Sequence, residues 1–368
     1  MSHLYSETLL APGLGASFQW RHQNNGRDLL GVIDPESPVY ATLRQSIERF
    51  ENTVFELSLN KPNLIEWANS QDTLQDAADI RELRLGGAHA FQQCIELLQT
   101  MQMMTDRVED PVRISAIHHS IGDVMGFIGQ RSGSVHYLEQ AALSYEQALE
   151  IRTQDDMPLE WAHSTYNMAL VIHIIGRLED DTGMLKQALG SIHKAVALLP
   201  RDDDTDVWAA AMSSAGIVLY QLGTHRRGSR TLQQSLVAFR NVLTERTAEK
   251  NKIAWAITQN NLAATLQALG EHEEDIGSLE ASIPVYDSVL KVLDRDALPL
   301  IWAMVSANRV SAMYSLAAES DYLDMAETSV AGFDKISKLF DGTEYVTYQA
   351  KAAERMQQAK ELVASLQV

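Results

Sequence analysis

Four tryptophans, Trp161, Trp208, Trp255 and Trp302, stand 47 residues apart in succession, and each is followed by alanine. The flanking residues return with them, as in Pro158-Leu-Glu-Trp161 and Pro299-Leu-Ile-Trp302. The same interval taken towards the N-terminus lands on Ile114, just after Pro111, and then on Trp67. A fixed period of this length restricts the chain to architectures in which alike units bury their apolar faces against their neighbours.

Within a unit the apolar residues follow helical spacing. Residues 252–298 show it best: Trp255, Leu262, Leu266 and Leu269 share one face of a first helix, expected to stop at Gly270. A polar connection, Glu271 to Gly277, should lead to a second helix carrying Leu279, Ile283, Tyr286, Leu290 and Leu293, bent at Pro284. The landmarks recur in register. Gly129, Gly176, Gly223 and Gly270 are expected at the ends of first helices, and Tyr145, Ile192, Phe239, Tyr286 and Phe333 share one position of the second helices.

These landmarks give an all-α chain, a solenoid of paired helices. Residues 1–36 read as an irregular N-terminal arm, because Pro12-Gly-Leu-Gly15 and Asn24-Asn-Gly26 break any helical period. Residues 37–63 read as a partial repeat, 64–345 as six repeats of 47 residues, and 346–368 as a capping helix.

A formal charge of -19 makes duplex nucleic acid and anionic membrane poor partners. Cys94 is the only cysteine, so an internal disulfide or a cysteine-based metal cluster cannot form. No stretch approaches the apolar length of a membrane span, and Met1 is not followed by a basic and then apolar leader. A cytoplasmic protein is expected. No phosphate-binding loop, metalloprotease helix or serine-elbow motif is present in the sequence.

The repeat resembles the tetratricopeptide repeat family. The triplet Asn261-Leu-Ala, then Gly270, Leu279 and Tyr286, follows that family's signature, and Asn167-Met-Ala169 and Ala195 to Pro200 repeat parts of it. The unit is longer than the family's usual ~34 residues, and the excess is expected mostly in the polar connection between helices. The resemblance implies a right-handed superhelix in which first helices line a concave groove that holds a protein segment or peptide. The implied groove positions are Asp72, Asp76, His119, Asp123, His163, Tyr166, Asn167, Tyr220, Asn260, Asn261, Asn308 and Tyr314, together with Asp79, Ser120, His173, Ser214, Gln267 and Ser311. Asn167, Asn261 and Asn308 match positions from which the family bonds a peptide backbone, which a side-chain amide suits because it both donates and accepts. No lysine or arginine stands among these residues, so a polar or basic segment fits better than an acidic tail.

Two other readings stay open. His119 and Asp123 lie four apart and hence on one helical face, and with His163 from the next first helix they form a candidate metal or catalytic cluster. Otherwise no cofactor is implied. A self-assembling scaffold, its end faces stacking between copies, is the third reading, and the sequence sets no oligomeric state.

Overall fold

The computed structural model of the chain describes residues 110–201, 207–226, 228–295, 299–339 and 346–367, together with 99, 102 and 103. The arm expected at 1–36, the partial repeat at 37–63 and the first full repeat, apart from residues 99, 102, 103 and 110, lie outside the described residues. Those described form eleven helices and no strand. In chain order these are α1 Pro111–Ser132, α2 Val135–Leu149, α3 Pro158–Leu178, α4 Thr182–Val196, α5 Val207–Arg226 and α6 Ser229–Glu245. There follow α7 Lys252–Glu273, α8 Ile276–Val292, α9 Pro299–Ser320, α10 Leu323–Leu339 and α11 Val346–Leu366.

The chain divides into two compact units at Ala211/Met212, inside α5. In the N-terminal unit α1 packs on α2, α2 on α3 and α3 on α4, while α1 also touches α3. In the C-terminal unit each helix from α6 to α11 packs on the next, and α7 touches α9 as α9 touches α11. The pairs α1/α2, α3/α4, α5/α6, α7/α8 and α9/α10 repeat the 47-residue period, with odd-numbered members as the first helices.

The glycines are not where the first helices end. Gly129, Gly176, Gly223 and Gly270 lie inside the last turns of α1, α3, α5 and α7. Their role is close approach. A Cβ on Gly129, Gly223 or Gly270 would lie 2.6–2.8 Å from the side chain of Leu138, Leu232 or Leu279 on the facing second helix. In the final pair the same two positions hold Ala317 and Ala326, a different division of the same space.

The left-handed residue that turns the chain comes four positions after Gly129, Gly176 and Gly270, at Gly133, Asp180 and Glu274, and in the last pair at Asp321, four after Ala317. Three of these four are acidic, with φ of 51–56°, so composition alone does not reveal the turn. After two of these turns the following side chain caps the second helix: Asp181 accepts from Gly183 and Met184, and Asp275 from Gly277 and Ser278. The connection between α7 and α8 is therefore two residues, Glu274 and Asp275, and not the long polar segment expected. The extra length of the repeat is helical, since first helices run 20–22 residues and second helices 15–17.

Alternate repeats are built differently. Arg152 and Arg246 are both buried, and 12 residues further on stand the hydroxyl residues Ser164 and Thr258 to which they donate. One repeat later the same two positions hold buried Leu199 with Ala211, and Leu293 with Val305. Those same junctions carry Arg201 over the Trp208 ring at 4.6 Å and Arg295 over Trp302 at 5.1 Å. Gly122 lies under Tyr145 and Gly216 under Phe239, whereas Ala169 and Ala263 stand at the intervening positions. The junctions between helical pairs thus repeat their chemistry every 94 residues, while the glycine position does not continue, Val310 standing where a third glycine would fall. Trp208 is buried and Trp161, Trp255 and Trp302 are partly so, the last two packed against the apolar core of the C-terminal unit.

Candidate functional site

First helices carry polar side chains where a packed helix would ordinarily be apolar. From Asn260 to Gly270 every residue of α7 is buried, including Asn260, Asn261, Thr265 and Gln267. Such groups are tolerated inside only when their hydrogen bonds are met.

In the N-terminal unit the polar groups of α1 and α3 meet. His119 and Asp123 occupy successive turns of α1, with His119 Nε2 3.6 Å from Asp123 Oδ2. His119 Nδ1 lies 2.9 Å from Ser164 Oγ on α3, and Arg152 donates to that same oxygen at 3.0 Å and to Ser115 at 3.1 Å. Asp123 Oδ1 accepts from the Tyr145 hydroxyl at 2.7 Å and from the Asn167 amide at 2.8 Å. The imidazole edge meets the Tyr145 ring at 5.4 Å. Serine, histidine and carboxylate thus stand in line, but Ser164 is 0% exposed, His119 3% and Asp123 2%. A nucleophile so enclosed, with its oxygen already accepting from a guanidinium, ties α3 to α1 and to the connection after α2, and has no room for a substrate carbonyl.

In the C-terminal unit the Asn308 amide donates to Asn260 Oδ1 at 2.9 Å, and the Asn260 amide donates to Asn261 Oδ1 at 3.2 Å. Further along the same helices Gln267 donates to Glu271 Oε1 at 2.9 Å and to Ser311 Oγ at 3.3 Å. The Ser315 hydroxyl donates to Glu271 Oε1 at 2.5 Å. Gln267 Oε1, Glu271 Oε2 and the Tyr286 hydroxyl are buried with no hydrogen-bond partner. Burial, followed by the neighbouring Tyr220 and Glu271, pushes the Tyr286 phenol well above its ordinary range.

Of the residues singled out from the sequence, Asp72 and Asp76 lie outside those described. His119, Asp123, Tyr166, Asn167, Tyr220, Asn260, Asn261 and Asn308 are buried, while His163 and Tyr314 are partly exposed. The structure joins His119 to Asp123 and Asn308 to Asn260, so part of the amide capacity expected for a ligand is taken up between helices. Among the described residues no three His, Cys, Asp or Glu side chains are grouped to hold a metal ion, so His119, Asp123 and His163 do not form such a group. Among the same residues no helix is long and apolar enough to cross a membrane.

Sequence reasoning missed Arg152, Glu271 and Ser315. For Glu271 a signal existed, since it falls one helical turn after Gln267 and only the assumed stop at Gly270 removed it from the helix. No family model matches the chain, and no curated protein matches its sequence.

Proposed function

We propose that the helical pairs stack as a tetratricopeptide-like solenoid whose first helices receive a polar or basic segment of a partner protein. The observation that supports this reading is the distribution of unmet polar atoms. Among the described residues, Arg113 on α1, Thr165 on α3, Ser213 on α5, Gln267 and Glu271 on α7, and Ser306 on α9 bear buried side-chain atoms without a hydrogen-bond partner. All six belong to first helices; of the second helices only α8 contributes, through Tyr286. Leaving such a group unsatisfied costs about 1–3 kcal/mol, so its repeated use on one set of helices favours a role in recognition over packing. The formal charge of -19 favours a basic visitor through long-range attraction.

The test is panning of a peptide library of mixed charge against the immobilised full chain. Lysine, arginine, serine and asparagine should be enriched, and a photo-crosslinker at Tyr314 on α9 should capture the selected peptides while one at exposed Val237 on α6 should not. Enrichment of acidic peptides, or capture at Val237 alone, overturns the reading.

A further inference from the structure

The geometry points to a cation site at the end of α7: we propose that Gln267 and Glu271, braced by Ser311 and Ser315, bind the guanidinium of an arginine. The identity of the carrier, a partner's segment, rests on the reading above; the chemistry of the site does not. Glu271 Oε1 is occupied, because Gln267 Nε2 and Ser315 Oγ both donate to it, and this fixes the plane of the carboxylate. Its second oxygen is left, and so is the amide oxygen of Gln267.

Both remaining atoms are acceptors. Covalent geometry, two amide-sized groups joined by one hydrogen bond, keeps them within about 7 Å of each other. A ligand that satisfies both must donate to two separated oxygens at once, which the planar fork of a guanidinium does and the point charge of an ammonium does less well. Gln267 is 3% exposed and the two acceptor atoms are themselves shut off from solvent, but Glu271, Ser311 and Ser315 are partly exposed at the rim, so a ligand enters by a shift of these side chains. Position in the helix adds to this. Glu271 stands in the last turn of α7, where the helix dipole is negative, and Glu273, Glu274 and Asp275 follow on the surface.

The experiment is a calorimetric titration of the full chain with four probes: agmatine, and one acetylated, amidated Gly/Ser pentapeptide carrying arginine, citrulline or glutamate at its centre. The arginine peptide should bind at least about tenfold more tightly than its citrulline twin, the loss expected for a charge-assisted bond. Glu271→Gln should remove that preference and Glu280→Gln, on the exposed face of α8, should not. The citrulline comparison needs only the unmodified protein and stands even where Glu271→Gln does not fold.

Measurable and equal binding of the arginine and citrulline peptides overturns the site, as does failure of both agmatine and the arginine peptide to bind, or an arginine preference that survives in folded Glu271→Gln. In the last case segment binding itself still holds. Agmatine binding lost in Glu271→Gln, without binding of any peptide, upholds the site and overturns the segment reading.

Discussion

Tyr145 and Tyr286 occupy the same position three repeats apart and are equally buried, but only Tyr145 has its hydroxyl bonded, at 2.7 Å to Asp123 Oδ1. The difference lies on the first helix, where the position of Asp123 is taken by Ala264 beside Tyr286. One sequence motif therefore makes opposite contributions at its two occurrences.

Tyr145→Phe should lower stability by about 1–3 kcal/mol, because it deprives a buried carboxylate of a donor. Tyr286→Phe should be neutral or raise stability by about 1 kcal/mol, since it deletes an unmet hydroxyl and installs the residue already used at Phe239 and Phe333. Urea midpoints, read at unchanged denaturant slope, check both signs. A loss of stability in Tyr286→Phe equal to that in Tyr145→Phe would refute the assignment.

Gly270→Ala should destabilise by about 1–3 kcal/mol through overpacking, as its Cβ would come 2.6 Å from Leu279 Cγ. The final pair, Ala317 with Ala326, shows the compatible alternative. A double-mutant cycle with Leu279→Ala should therefore give a cost clearly below the sum of the two single changes. Additivity would mean that the two side chains do not compete for the same space.

Ser164→Ala should cost about 1–3 kcal/mol, because Arg152 and His119 each lose a partner inside the protein. Adding Arg152→Leu reproduces the Leu199 and Ala211 combination of the next repeat and should recover part of the loss. Thermal denaturation of the two variants reads this directly, and a double variant weaker than Ser164→Ala would count against the alternation.

Asp275 gives a pH signature. The Ser278 side chain, with the backbone N–H groups of Gly277 and Ser278, holds its carboxyl below the ordinary aspartate range. A depressed folded-state value means that the cap's contribution is complete above the unfolded-state value and is lost as pH falls through the folded one. The protection of the Gly277 and Ser278 amides, taken relative to their intrinsic exchange at each pH, should fall on acidification in the native protein. In Asp275→Asn, whose amide oxygen caps without titrating, it should not.

The helices and their pairing were legible because tryptophan, leucine and the shared aromatic position recur at helical spacing, and burial of those residues decides the fold. Boundaries were less so. Gly270 looks like a stop, but glycine serves two purposes in helices, and here it admits Leu279 while the turn is made by Glu274. That single misreading placed Glu271 in a connection and hid its partnership with Gln267. The groove residues show a different limit. Polarity at a helical position signals that a hydrogen bond must be made, but not with whom, and Asn167 donates to Asp123 where a peptide carbonyl was expected.

Junctions that alternate in chemistry make the pair, and not the single repeat, the unit in which the chain can be lengthened or shortened. A recombination event that spliced Arg152 or Arg246 to the downstream half of a neighbouring junction would set a guanidinium twelve residues ahead of Ala211 or Val305, with a methyl where its acceptor belongs. The same event in steps of 94 residues sets each arginine back ahead of a hydroxyl residue, Thr258 after Arg152 or Ser164 after Arg246. Length variation among descendants of this chain should accordingly fall in multiples of four helices.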